Sequence, residues 1–110
     1  MSRRRFLVTP EARQDLTEIW EYIAEDSVKR ADQVLARLYD SLVQLAESPG
    51  MGHHRKGLAD SRHRFWTVYS YVVVYRWETT PIQFIAVVHG ARDLEAFLAQ
   101  RIENEERPRN

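Results

Sequence analysis

The feature that most constrains this chain is a change in hydrophobic periodicity near its middle. The first half repeats apolar residues at helical spacing: Leu16, Ile19, Trp20 and Ile23. That spacing places side chains on one face of an α-helix. In the second half, residues 64–77 (RFWTVYSYVVVYRW) and 82–88 (IQFIAVV) are dense in the β-branched and aromatic side chains that favour strands. The chain therefore combines a helical half with a sheet half.

Two helices are predicted in the first half. Thr9 is placed to cap the first, and the fixed φ of Pro10 is tolerated in a first helical turn. This helix should end near Asp26, and Ser27 could cap a second helix that continues to the breaker at residues 48–50 (SPG). Because the link between the two helices is so short, they should form an antiparallel hairpin.

Strands are predicted on both sides of this hairpin. Residues 5–9 (RFLVT) form a short strand candidate, and three successive antiparallel strands follow the second helix. The first two of these should turn near Tyr69-Ser70, and the third should run from Ile82 to about Val88. Since the strands are apolar on both faces, helices should cover at least one side of the sheet.

A short terminal helix completes the predicted order. Its apolar positions have helical spacing, Asp93 is placed to cap it, and residues 104–110 are expected to fray. We therefore predict an α+β fold in one domain over residues 1–110: an N-terminal strand, a two-helix hairpin, a three-stranded antiparallel β-meander and a short C-terminal helix.

Composition narrows the classes of function. The chain has no cysteine, which excludes disulfides, thiol catalysis and cysteine-ligated metals. It has no apolar run long enough to span a membrane and no signal peptide pattern, so a cytoplasmic location without membrane association is expected. The histidines show no recognised metal spacing, and no phosphate-binding loop or dinucleotide motif is present. We expect neither a metal nor a cofactor.

Charge is distributed unevenly although the net charge is zero. Residues 11–47 hold nine acidic and four basic residues, whereas residues 53–64 (HHRKGLADSRHR) hold four basic residues, one acidic residue and three histidines. A basic segment of this kind can contact phosphates or an acidic protein, and it can equally be a solvated loop. Both interpretations stay open at this point.

Basic residues interleaved with aromatic residues are the candidates for chemistry. The basic set comprises Arg55, Lys56, Arg62, Arg64, Arg76 and Arg92, with His53, His54, His63 and His89. Arginine with exposed aromatic rings can bind RNA, and histidine with arginine could support RNA cleavage. The alternative is that the rings are core residues and the arginines border a sheet.

The segment His89–Asp93 (HGARD) has the same two interpretations. His89 could be a catalyst or a partly buried residue at the end of a strand. Gly90 is explained by a turn that needs positive φ, and Arg92 could pair with Asp93 or with a nearby carbonyl. On this alternative the segment only shapes the corner between sheet and helix.

Several segments in this order resemble the ParE branch of the ParE/RelE toxin superfamily, also described as plasmid-stabilisation proteins. They are RQDLTEIWEYIA, LYDSLVQLAESPGMGHHRKG, RHRFWTVYSYVVVYRW and IQFIAVVHGARD. The resemblance covers Val8 to about Phe97 and rests on the order and spacing of the segments. It implies the toxin of a type II toxin–antitoxin system, neutralised by a co-encoded ParD-like antitoxin with which it could form a hetero-oligomer.

The resemblance also implies a target and two sets of contact residues. ParE-like proteins look like poisons of DNA gyrase that act by binding, and the residues expected to contact the target are the four basic candidates: Arg64, Arg76, His89 and Arg92. An amphipathic antitoxin helix could bind a groove formed by large apolar side chains of the helical hairpin. These side chains are Trp20, Leu38, Tyr39 and Leu42.

Two alternatives accompany the gyrase interpretation. RelE-like relatives are ribosome-dependent mRNA endonucleases, for which the four basic candidates would be the catalytic set. Against this, Val72 stands where those nucleases often have arginine, and the C-terminal segment lacks the tyrosine that many of them carry. The second alternative is an inactive family member that only binds antitoxin.

Overall fold

The computed structural model describes residues 5–57 and 61–106. Within them, four strands and three α-helices follow in the order β1 (Phe6–Val8), α1 (Pro10–Ala24), α2 (Val28–Glu47), β2 (His63–Val68), β3 (Tyr71–Arg76), β4 (Ile82–His89) and α3 (Leu94–Glu106). A short 3₁₀ turn, Pro49–Met51, follows α2. The predicted α+β order is confirmed.

The four strands form one sheet in the order β1-β4-β3-β2. The predicted meander is confirmed, because β3 pairs antiparallel with both β2 and β4, and β2 turns into β3 at Tyr69-Ser70. The N-terminal strand β1 pairs with β4 in the parallel direction. A β-bulge at Ile85 shifts the register between β3 and β4.

Side-chain caps start all three helices at the predicted residues. Thr9, Ser27 and Asp93 each accept a hydrogen bond from the backbone N–H three residues later, at 3.1, 3.1 and 3.2 Å. Each cap satisfies an N–H group that the first turn of a helix leaves without a partner. Helix α3 includes residues 104–106 of the segment expected to fray, and residues 107–110 lie outside the described residues.

The helices cover both faces of the sheet. The face against α1 and α2, here called the hairpin face, carries the larger part of the core: Leu16, Val34, Leu38, Leu42, Leu45, Ala46, Val68, Val73, Tyr75, Ile82, Phe84 and Val87. The opposite face, here called the α3 face, packs on α3 through a second cluster: Phe65, Val72, Val74, Ile85, Ala86, Val88, Leu94 and Leu98. This arrangement explains why the strands are apolar on both sides.

The described part of the chain contains no helix long and apolar enough to cross a membrane. Among the same residues, no group of three or more histidine, cysteine or acidic side chains is arranged to hold a metal ion.

Candidate functional site

Arg64 lies near the start of β2 and holds the segment that follows α2. One of its terminal nitrogens, Nη1, donates to the carbonyl of Gly52 at 2.7 Å. Its guanidinium carbon lies 4.2 Å from the ring centroid of Trp77, within the range of a cation–π contact. Arg64 therefore supports the local structure through contacts inside the molecule.

Tyr75 holds the same segment from the hairpin face. Its fully buried side chain donates from the hydroxyl to the Pro49 carbonyl at 2.7 Å and accepts from the Gly52 N–H at 3.0 Å. Burial raises the pKa of the Tyr75 phenol above its ordinary value of 10.0, while the Gly52 N–H and the Arg64 guanidinium act in the opposite direction. A Cβ at Gly52 would overlap the Tyr75 hydroxyl, so glycine is needed there.

Arg76 lies at the end of β3, on the α3 face, and contacts the terminal helix. Its Nη1 is 3.5 Å from Oε1 of Glu105 in α3. His63, which is 1% exposed, places Nε2 at 3.6 Å from the other oxygen of the same carboxylate. Glu105 therefore connects α3 to two strands, and Arg76 forms part of this contact between the sheet and the terminal helix.

The four basic candidates do not form one cluster. In the strand register, Arg76 is opposite His63 at one end of β3, and Tyr71 is opposite His89 at the other. At a rise of roughly 3.4 Å per residue, the six residues of β3 separate these two ends by about 17 Å. Arg64 and Arg76 lie at one end of the sheet and on different faces, whereas His89 and Arg92 lie together at the other end.

His89 is exposed at the end of β4, and its ring is held by two contacts. Nδ1 accepts from the Ala91 N–H at 3.1 Å, and the ring meets Tyr71 edge to face with a centroid distance of 5.5 Å. Because Nδ1 accepts a hydrogen bond, the neutral ring carries its proton on Nε2. In this tautomer His89 has no free nitrogen lone pair with which to abstract a proton.

Two expectations about the neighbouring residues are wrong. Gly90 does not have positive φ. Instead its N–H donates to the Ser70 carbonyl at 2.7 Å, and a Cβ would lie 3.3 Å from that oxygen, so close approach of two backbones favours glycine. The guanidinium of Arg92 does not pair with Asp93, which caps α3, and lies 4.9 Å from the Phe97 ring centroid.

A cavity of about 470 Å³ opens beside His89 and Arg92 and is here called the corner cavity. Its walls come from α1, from Tyr71 and from the end of β4: Asp15, Glu18, Ile19, Tyr22, Tyr71, Val87, Val88, His89 and Arg92. Tyr22 is 74% exposed at its rim. Burial is the main cause that raises the pKa of Tyr71, and the neighbouring Tyr22 raises it further, while Arg30 acts to lower it. The cavity thus has an apolar wall with acidic and basic side chains at its borders.

A second depression lies between the two hairpin helices and is here called the hairpin groove. Trp20 and Tyr39 both line this volume of about 410 Å³. Leu38 and Leu42 do not line it: both are fully buried beneath the sheet. The expectation that these two leucines contribute to an exposed groove is wrong, because their positions face the core.

The sequence reasoning missed one charged pair. Asp15 accepts from both terminal nitrogens of Arg101, at 2.8 and 3.0 Å, and also from the Val87 N–H at 3.0 Å. Arg101 donates further to the Ile85 carbonyl at 2.8 Å. These two side chains are only 11% and 14% exposed, so the pair links α1, β4 and α3 in a largely buried setting. The signal for this pair in the sequence was an aspartate, Asp15, beside the apolar residues of α1.

Comparison with known proteins agrees with the resemblance. No curated protein sequence matches the chain. A solved chain from the chromosomal ParDE TA system of P. aeruginosa superposes with a TM-score of 0.66 at 17% identity, covering 79% of this chain and 96% of that one, which shows a shared fold. The family of ParE toxins of type II toxin–antitoxin systems, parDE, matches residues 6–94. The chain therefore belongs to the ParE toxin family.

Proposed function

We propose that this ParE-family toxin arrests bacterial growth by binding DNA gyrase, without catalysing a reaction, and that a ParD-like antitoxin neutralises it in the cytoplasm. The observation that supports binding over catalysis is the division of the four basic candidates between two ends of the sheet. A nuclease needs its acid, base and charge-stabilising groups around one reacting phosphate. The separation of about 17 Å is too large for that.

The local contacts of these residues support the same choice. Arg64 is engaged by the Gly52 carbonyl and the Trp77 ring, and Arg76 by Glu105. His89 uses its acceptor nitrogen on the Ala91 N–H. On this proposal the remaining candidate, Arg92, contacts the target beside the corner cavity, where an arginine can bind a carboxylate or phosphate in a bidentate manner.

The hairpin groove supports an antitoxin partner. Trp20 and Tyr39 present apolar surface between two helices, and Tyr39 is 44% exposed. Such a surface accepts the apolar face of an amphipathic helix. The solved ParDE system and the family description both name a toxin–antitoxin pair, which supports the proposal that this chain forms a hetero-oligomer with its antitoxin. The role of the toxin–antitoxin pair would be stabilisation of the replicon that carries its genes.

Tightly controlled expression in a bacterium, with viability as the readout, tests the proposal. Gyrase supercoiling and cleavage of ribosome-bound mRNA are measured in parallel with the purified protein. We expect growth arrest, inhibited supercoiling and intact mRNA. Cut mRNA with normal supercoiling would make the protein a RelE-type nuclease, and unimpaired growth at good expression would make it an inactive antitoxin-binding module.

Two variants test the residues of the corner. Arg92→Ala should reduce growth inhibition and leave antitoxin binding at the hairpin groove unchanged, and Arg37→Ala, which removes an exposed arginine of α2 outside that groove, is the control. Equal loss of both properties together with a lowered melting temperature would show that Arg92 is structural. His89→Gln should inhibit growth as well as the parent, and a large loss without unfolding would indicate proton transfer at this position.

A further inference from the structure

The aromatic ring of Phe97 in α3 contacts two guanidinium groups. The guanidinium carbon of Arg92 lies 4.9 Å from the ring centroid, and that of Arg101 lies 4.7 Å from it. Both distances are within the range of a cation–π contact, in which the negative face of an aromatic ring attracts a cation. Phe97 is itself partly buried against the core cluster on the α3 face. One aromatic side chain that the core holds therefore contacts two cations.

Arg101 has a fixed place beside this ring. Its terminal nitrogens bond both oxygens of Asp15 at 2.8 and 3.0 Å, and one of them also donates to the Ile85 carbonyl at 2.8 Å. The Asp15 carboxylate compensates the positive charge of Arg101, which reduces the repulsion between the two guanidinium groups. Phe97 and Arg101 together therefore form a support that the core and α1 hold in place.

Arg92 differs from Arg101 because its guanidinium is not bound to a carboxylate. Its main chain is fixed, since its N–H donates to the His89 carbonyl at 3.0 Å and the next residue, Asp93, caps α3. Its side chain is exposed and borders the corner cavity. Within residues 5–57 and 61–106, the contact found for its guanidinium is the Phe97 ring. The ring therefore determines where this guanidinium lies.

We propose that Phe97 is a positioning residue, whose ring holds the guanidinium of Arg92 in place before the target binds. This inference rests on the proposed function, in which Arg92 contacts the target. A long arginine side chain loses rotamer freedom when it is immobilised at an interface, and contact with the ring removes part of that freedom in advance. A cation–π contact leaves N–H donors of the guanidinium available, so Arg92 can still bind a carboxylate or phosphate of the target.

Three variants of α3 separate the ring from its packing. Phe97→Leu keeps an apolar side chain against the core cluster but has no ring. Phe97→Tyr keeps the ring and is the conservative variant. Ile102→Val changes the packing of another partly buried residue of α3 against the same cluster, and it is the matched control.

Nuclear magnetic resonance of the ¹⁵N-labelled full chain reports the position of Arg92 without any target. Its Nε–Hε signal is assigned by its loss in Arg92→Lys. In the parent protein, we expect the ring current of Phe97 to displace this signal and its heteronuclear NOE to show restricted motion. Phe97→Leu should move the signal to the position of a freely rotating arginine and lower the NOE, whereas Phe97→Tyr and Ile102→Val should keep both.

Inhibition of gyrase supercoiling measures the effect on the target. Immobilising one long side chain costs about two- to tenfold in affinity, so we expect Phe97→Leu to raise the half-inhibitory concentration by up to about this factor. Phe97→Tyr and Ile102→Val should stay within about twofold of the parent. In an Arg92→Ala background, Phe97→Leu should have no further effect, because a residue that acts through Arg92 then has nothing to position.

Two results would overturn the proposal. One is an Arg92 signal that is unchanged in Phe97→Leu. The other is an equal loss of inhibition from Phe97→Leu with and without Arg92, which would give Phe97 a structural role or a target contact of its own. A parent protein that does not inhibit supercoiling would instead refute the proposed function, and the Arg92 signal would then decide alone whether Phe97 holds this side chain.

Discussion

The pair of Asp15 and Arg101 offers a quantitative test of how α3 is attached. Asp15→Ala leaves the Arg101 guanidinium with the Ile85 carbonyl and the Phe97 ring and removes the acceptor of the Val87 N–H. Arg101→Ala leaves the Asp15 carboxylate with one backbone donor in a setting where the two side chains are 11% and 14% exposed. In each single variant a largely buried charge therefore loses its partner.

The magnitudes follow from the number of bonds lost. Breaking a buried ion pair from one side costs about 3 to 5 kcal/mol, and residual exposure places this pair at or below the lower end of that range. We expect the free energy of unfolding to fall by about 3 kcal/mol in Asp15→Ala. The expected fall is about 2 kcal/mol in Arg101→Ala, because this variant keeps the bond between Asp15 and the Val87 N–H. The double variant removes both charges and should lose only about 3.5 kcal/mol, so the coupling is about 1.5 kcal/mol.

Chemical denaturation followed by circular dichroism measures these free energies of unfolding, and Arg13→Ala provides the control for loss of an exposed cation. The Asp15→Ala loss corresponds to a fall in melting temperature of about 12 °C for a domain of this size. Additive single losses, with a coupling below about 0.5 kcal/mol, would refute the reasoning. The same result would mean that the Asp15–Arg101 pair does not help to hold α3, which would then be attached by its apolar residues and by Glu105.

Three further predictions follow from single contacts. Tyr75→Phe should lower the free energy of unfolding by about 2 kcal/mol, because it leaves the Gly52 N–H and the Pro49 carbonyl without their partner, whereas Tyr69→Phe at an exposed turn should change it little. Leu42→Ala should cost about 3 kcal/mol, and Tyr39→Ala less than about 0.5 kcal/mol, in denaturant titrations; equal effects would contradict the burial of Leu42. The raised pKa values of Tyr71 and Tyr75 favour the protonated phenols in the folded state, so their contribution to stability is present below pH 10 and is lost as pH rises through the raised pKa values. Melting curves at alkaline pH, compared with those of Tyr71→Phe, measure this loss, and stability that does not change above pH 10 would argue against it.

Local signals in the sequence were sufficient to predict the order of the helices and strands. The caps at Thr9, Ser27 and Asp93 use side chains that bond to a backbone only three residues away, so a short window contains both partners. The strands could be predicted because β-branched and aromatic residues are concentrated between turn residues. The parallel pairing of β1 with β4 could not, because its partners lie more than seventy residues apart and β1 has three residues.

The site was predicted less completely because side-chain direction depends on tertiary packing. Leu38 and Tyr39 are adjacent on α2, yet Leu38 is fully buried and Tyr39 is 44% exposed. Apolar character alone does not separate a core position from a groove position on such a helix. Arg64 and Arg76 were grouped with His89 because all three are basic. Only the strand register shows that the two arginines lie at one end of the sheet and His89 at the other.

The attachment of α3 and the protection of the β4 edge are consequences of one arrangement. The family match covers residues 6–94 and ends where α3 begins, but Arg101 in α3 completes a bond network with Asp15 inside the matched region. Without Arg101, the Ile85 carbonyl at the bulge would lose its donor, and unpaired strand edges invite non-specific pairing. Beyond the three residues of β1, helix α3 therefore protects the edge of β4 through the side chain of Arg101.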